Sequence, residues 1–222
     1  MNPLDILRQK PWLPGTELAT ASGNIADAGR TALRFFMAVV TVLFFLFTIT
    51  FLARSQYPDF EALAGQPWQP FSDASTLWVN TGLLVLGSVA MQAAVYCSRR
   101  GGDRGAVLWA TGGAVFAVAF LVAQLNLWQH LRMMGFFANT NPANSYFYLL
   151  TAVHGLHLMG GLIALCNVAA RCWYEQDQQR FFGALALCAS YWHFLLLIWA
   201  GLFALLTSEA ETINSLAALC GF

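Results

Sequence analysis

The strongest constraint in this sequence is a set of five long apolar stretches, none of which carries an Asp, Glu, Lys or Arg near its middle. Their approximate bounds are residues 33–53, 77–96, 106–128, 147–170 and 182–207. A helix that crosses a bilayer needs about 20 mostly apolar residues, so each stretch is long enough to span a membrane. The composition, 58% hydrophobic and 10% charged, points the same way. The sequence therefore predicts a multi-pass membrane protein.

The apolar stretches do not alternate between polar and apolar residues, which excludes a transmembrane β-barrel and leaves helices. The predicted fold class is all-α, with five transmembrane helices and the N-terminus in the cytoplasm. That orientation places nine of the eleven Lys and Arg residues on the cytoplasmic side and only Arg54 and Arg132 outside. We expect a cytoplasmic arm over residues 1–30, a transmembrane domain over 31–208 and an outer tail over 209–222.

Several classes of function do not fit this pattern. The connections between the stretches are too short for a separate soluble domain, so any activity lies inside the bundle or at its contacts with partners. The absence of charged residues from the middle of the stretches disfavours a transporter with a proton or ion path. The five cysteines show no C-x-x-C pair, so we expect neither a disulfide framework nor a zinc site.

Three histidines stand out among the polar residues inside the stretches. His154 and His157 are three residues apart and so share one helix face, whereas His193 lies in the fifth stretch. In one interpretation, His154 or His157 and His193 hold a b-type haem, or the histidines bind copper, because imidazole is a common ligand for both. In the other, they are neutral imidazoles that hydrogen-bond to neighbouring helices. The shortage of further histidine or cysteine partners favours hydrogen bonding.

Two motifs resemble those of a known family. The fourth stretch contains "VHGLHLMGG", and the fifth contains "YWHFLLLIW". Together they resemble the H-G-x-H-x-x-x-G and Y-W-H-F motifs in the last two helices of subunit III of haem-copper terminal oxidases. Three further segments are similar to that family in the right order: "LWVNTGLLVLG", "AFLVAQLNLW" and "NPANSYFYLLT". The chain looks like the five-helix form of the family.

The resemblance implies a bundle of helices in a bacterial inner membrane, packed against the catalytic subunit I of a proton-pumping oxidase of aerobic respiration. Subunit II and other subunits are the further partners that it implies. It implies no haem or copper in this chain, bound phospholipid, and an accessory role in proton uptake, lipid retention and complex stability. Nothing points to a nucleic-acid partner. The family includes subunits of cytochrome c and quinol oxidases and a relative associated with nitric oxide reductase. A membrane electron carrier that binds haem b through these histidines is the alternative outside the family.

The same resemblance selects eight structural or lipid-contact candidates and no catalytic residue. These are Asn80, Gln124, Trp128, His154, His157, Gly161, Trp192 and His193. Two positions depart from the family pattern. Thr41 and Leu127 stand where many relatives carry a Glu, so a role for those carboxylates in proton transfer is not expected of this chain.

Overall fold

The structure is a computed structural model that describes residues 17–64, 70, 75–175 and 178–221, with side chains in 28–64, 70, 75–102, 104–170 and 181–221. Over these ranges the chain forms six helices and no strand. They are α1 (Glu17–Arg54), α2 (Ser75–Arg99), α3 (Asp103–Met133), α4 (Pro142–Glu175), α5 (Gln178–Leu206) and α6 (Ala210–Leu219). Five of them, α1 to α5, are long and apolar enough to cross a membrane, which confirms the predicted fold class. The cytoplasmic N-terminus stays a prediction.

Residues at the helix ends show why the apolar runs stop where they do. Between α2 and α3, Gly101 adopts φ +73°, a left-handed conformation that glycine tolerates and that allows a tight turn. At the start of α4, the Asn141 side chain accepts a hydrogen bond from the Ala143 N–H at 3.0 Å, and Pro142 occupies the first helical position. An asparagine cap followed by proline is a favourable start for a helix.

Helix α2 packs on α3 and on α5, and α4 packs on α5, whereas the contact between α3 and α4 is less extensive. The approach of α2 to α3 is close at Gly113, where an added Cβ would lie 3.0 Å from the Met91 side chain and 3.3 Å from the Gly87 carbonyl oxygen. Glycine at such a crossing lets two helix backbones come near each other in a membrane.

The chain divides into two compact units, Met1–Phe36 and Met37–Phe222, which we describe separately. In the first, α1 begins at Glu17, inside the segment that the sequence assigned to an N-terminal arm; residues 1–16 lie outside the described ranges. In the second, the tail forms the short helix α6, which the sequence pattern did not predict. Ile213 and Ala217, four residues apart on α6, are its buried positions.

Candidate functional site

Polar side chains between the helices fall into two groups at different depths. Helices α1, α3 and α5 finish at one end of the bundle, which we call the α6 end. The other end carries the α2–α3 and α4–α5 connections, and we call it the turn end. At about 1.5 Å per residue, Asn80 lies about 8 Å and Trp199 about 10 Å from the α6 end. Gln92 lies about 10 Å from the turn end. The first group therefore begins near the α6 end and the second near the turn end, and both extend to the middle of the bundle.

The first group, which we call the buried layer, consists of Asn80, Thr81, Phe120, Gln124, His154 and Trp199. The Asn80 side-chain N–H donates to Gln124 Oε1 at 2.9 Å and joins α2 to α3. The indole N–H of Trp199 donates to Thr81 Oγ1 at 3.0 Å and joins α5 to α2. Asn80 and Trp199 are almost fully buried. The layer therefore ties three helices together through side-chain hydrogen bonds.

His154 brings the fourth helix, α4, into this layer by ring packing. Its imidazole is completely buried, with its ring centroid 5.7 Å from that of Phe120 and 5.2 Å from that of Trp199. Phe120 and Trp199 also meet edge to face at 4.8 Å. Within the described residues neither nitrogen of His154 has a hydrogen-bond partner. The expected hydrogen bond is thus not found for His154, because aromatic rings from α3 and α5 pack against its imidazole.

The second group, which we call the seam, consists of Ser88 and Gln92 on α2 and His193 on α5. His193 Nε2 lies 3.0 Å from Gln92 Oε1, and the Ser88 hydroxyl is hydrogen-bonded to His193 Nδ1. A carbonyl oxygen only accepts, so Nε2 carries the proton and Nδ1 accepts from Ser88; this assignment follows from the network. His193 and Gln92 are exposed, although both lie within the spans. The seam joins α2 to α5 at the edge of the bundle.

A third contact joins α4 to α5 around the other histidine of the fourth stretch. The Tyr191 hydroxyl donates to the His157 carbonyl oxygen at 3.2 Å, and His157 Nδ1 lies 2.8 Å from the Val153 carbonyl oxygen. A Cβ added at Gly161 would lie 3.1 Å from a ring carbon of Tyr191 and 3.2 Å from one of Trp192. Those distances are tighter than most Cβ contacts, so a side chain at position 161 would force the two rings to shift by a few tenths of an ångström.

Trp128 completes the set of candidates. Its indole N–H donates to Thr151 Oγ1 at 3.2 Å and links α3 to α4. The structure thus places each of the eight candidates at a contact between helices. Sequence reasoning selected neither Ser88 nor Gln92. Their spacing of four residues, which puts both on one face of α2, was a usable signal.

The arrangement does not fit the haem interpretation. Both nitrogens of His193 are engaged by Ser88 and Gln92, so neither is open to an iron in this geometry. In the part of the chain that the structure describes, no three His, Cys, Asp or Glu side chains group together in a way that would hold a metal ion. Thr41 donates to the Met37 carbonyl oxygen of its own helix at 2.8 Å, and Leu127 is buried.

Comparisons with known proteins identify the family of the chain. The family model for cytochrome c oxidase subunit III matches residues 16–208. The probable cytochrome c oxidase subunit 3 of Mycobacterium leprae is 30% identical over 163 residues, which cover 72% of this chain and 77% of that protein. The cytochrome bo(3) ubiquinol oxidase subunit 3 of Pseudomonas aeruginosa is 28% identical over 130 residues, which cover 56% of this chain and 60% of that protein.

The match over residues 16–208 includes all five membrane-spanning helices, the buried layer and the seam. Both histidine motifs lie within it, on α4 and α5. The chain therefore belongs to the cytochrome c oxidase subunit III family and is an accessory subunit of a haem-copper oxidase.

Proposed function

We propose that this chain is a non-redox scaffold beside the catalytic subunit I of a proton-pumping oxidase in a bacterial inner membrane. In this proposal the haem and copper groups belong to partner subunits, with subunit II among the further partners. The chain supports proton uptake, retains phospholipid and prolongs the working life of the complex. Its own contribution is mechanical: a stable bundle that holds a fixed surface against the catalytic subunit.

The proposal rests on one observation, which is that intramembrane polar side chains form hydrogen bonds between helices. Hydrogen bonds between side chains join α2 to α3, α2 to α5, and α3 to α4. A bond to backbone joins α4 to α5. Groups used in this way connect helices, whereas a redox site or an ion path requires groups that face a cofactor or water. In hydrocarbon each such bond is worth about 0.6 to 2 kcal/mol.

The outer face of α1 supports the lipid part of the proposal. Val39, Val42, Phe45 and Leu46 are large, apolar and exposed. On the other side of α1, the rings of Phe44 and His157 lie 5.8 Å apart. A helix with one face packed on protein and the other open and apolar is suited to hold acyl chains.

Copurification of an affinity-tagged chain in mild detergent tests the proposal. We expect a haem-copper subunit, identified by mass spectrometry, in constant ratio to this chain. Deletion of the chain should reduce the number of turnovers that the complex completes before inactivation, and it should lower the rate of proton uptake. The haem spectrum of the remaining complex should stay unchanged.

Three outcomes would overturn it. The first is purification without any haem-copper subunit, combined with an unaffected turnover lifetime in the deletion strain. The second is a constant ratio to nitric oxide reductase subunits, which would favour the relative associated with that enzyme. The third is a stoichiometric Soret band in the isolated chain, which would favour the haem-b carrier.

A further inference from the structure

Gln92 and His193 are polar residues that are exposed at membrane depth. His193 lies about 18 Å along α5 from Phe181, and Gln92 lies about 10 Å along α2 from Arg99. A hydrocarbon core about 30 Å thick therefore contains both side chains. Polar side chains at this depth are costly when they face lipid, and in membrane proteins they almost always face other protein or a water-filled cavity.

Two other exposed polar residues inside the spans, Thr111 and Ser190, avoid this cost locally. Thr111 and Ser190 donate their hydroxyl hydrogens to carbonyl oxygens four residues earlier on their own helices, each at 2.9 Å. The side-chain amide of Gln92 differs because its oxygen accepts from His193 while its two N–H bonds have no acceptor among the described residues. These two donors remain to be satisfied from outside the described residues.

We propose that a transmembrane helix of another oxidase subunit covers the face of α2 and α5 that carries Gln92 and His193, and presents a hydrogen-bond acceptor to the Gln92 amide. This inference rests on the proposed function, because it requires a neighbouring subunit. Acyl chains offer no acceptor. The nearest lipid ester carbonyls lie near the helix ends, about 10 Å from Gln92, which is beyond the reach of its side chain.

The part of α5 around His193 suits a close helix contact. The exposed positions on α5 near His193 include Ser190, Ala200 and Gly201, which are small, and a Cβ added at Gly201 would meet nothing within 4 Å. Small residues let another helix backbone approach, whereas the open face of α1 carries large residues such as Phe45. Leu197, one turn from His193, projects from the same face.

Site-specific photocrosslinking in the whole complex tests the inference. A benzophenone amino acid replaces Leu197, and the control replaces Val118, an exposed apolar residue on α3. We expect Leu197 to crosslink to another membrane subunit at least tenfold more often than Val118 does. Equal yields at the two positions, crosslinks to phospholipid alone, or crosslinks to a second copy of this chain would overturn the inference.

A substitution provides the second measurement. Gln92→Met removes the amide while keeping a similar shape, and we expect it to weaken retention of this chain in the detergent-solubilised complex about threefold to thirtyfold. The control Thr111→Val removes an exposed hydroxyl that is satisfied within its own helix, and retention should not change. Equal retention of both variants would contradict the inference, and if Gln92→Met does not fold, the crosslink at Leu197 decides.

The two proposals fail in different ways. If the chain copurifies with a haem-copper subunit but Leu197 does not crosslink to any subunit, only the position of the interface is wrong. If the chain copurifies with no oxidase subunit, the proposed function itself is wrong.

Discussion

The buried layer and the seam are both polar and both join α2 to α5, but they meet different surroundings. In the buried layer, Asn80 and His154 are completely buried, and aromatic rings pack against the imidazole. In the seam, His193 has a partner on each ring nitrogen, yet it is exposed. His154, which is the more buried of the two, thus makes fewer hydrogen bonds to described residues than His193 at the edge of the bundle.

This difference shows that burial and hydrogen bonding serve separate tasks in the bundle. Packing of rings around His154 stabilises the meeting point of three helices without needing a polar partner for the imidazole. The seam uses hydrogen bonds to hold a polar group in place where no other described helix covers it. We therefore expect the buried layer to stabilise the isolated chain mainly through its packed rings, and the seam to stabilise it through the hydrogen bonds of His193.

The largest effect is expected at Trp199 in the buried layer. Trp199→Ala removes the rings' contact with Phe120 and His154 and the hydrogen bond to Thr81, and it leaves a cavity. We expect the free energy of unfolding in mixed micelles to fall by about 3 to 5 kcal/mol. Trp109→Ala, an exposed tryptophan on α3, is the matched control and should change it little. Equal losses of unfolding free energy in Trp199→Ala and Trp109→Ala would show that the buried layer is not the main stabilising contact.

A smaller effect is expected where α4 meets α5. Gly161→Ala places a Cβ about 3.1 Å from the Tyr191 ring, so the buried aromatic rings must shift. We expect a loss of about 1 to 3 kcal/mol, measured by the same unfolding titration. The neighbouring Gly160→Ala meets nothing within 4 Å and should be neutral. If Gly161→Ala is as well tolerated as Gly160→Ala, close packing of these helices is not required.

The two histidines provide the most direct test of the comparison. His193→Leu strands Ser88 and Gln92, and we expect the isolated chain to lose about 0.6 to 2 kcal/mol. His154→Leu strands no partner among the described residues and removes a buried polar ring, so stability should stay unchanged or rise. Haem spectra of the complex should be unaffected in both variants. A greater loss for His154→Leu would reverse our assignment of the two regions.

The smallest effect is expected outside the membrane, at Asp59. The Arg54 guanidinium donates hydrogen bonds to this carboxylate and lowers the pKa of Asp59 below its ordinary value of 3.8. A lowered native pKa stabilises the fold above the unfolded-state pKa, and the stabilisation is lost as the pH falls through the native value.

Because this pair is exposed, we expect Asp59→Asn to lower the thermal midpoint only slightly at pH 7. The difference from the unchanged chain should shrink as the pH falls below 3.8 and should disappear once the native Asp59 carboxylate is protonated. Glu61→Gln, a nearby exposed carboxylate, is the control. A difference that grows on acidification would contradict the role of this ion pair.

Much of the fold follows from the sequence because a membrane restricts the choices. The apolar run over 147–170 predicts a helix, and α4 spans Pro142–Ala170 in the membrane. The glycine at 161 and the histidines at 154 and 157 are enough to mark α4 as a helix that packs against its neighbours. The short helix α6 was missed, since ten residues with two buried positions give only a weak periodic signal.

The sequence by itself determined the five spanning helices, the family, and which side chains bring polarity into the membrane, because length and composition decide what a bilayer accepts. Only the tertiary structure decided which of those side chains meet. Spacing along a helix specifies a face but not the neighbour across it, so the same imidazole could be hydrogen-bonded or enclosed by rings. The neighbouring helices made His193 a hydrogen-bonded residue at the edge, and they buried His154 against Phe120 and Trp199.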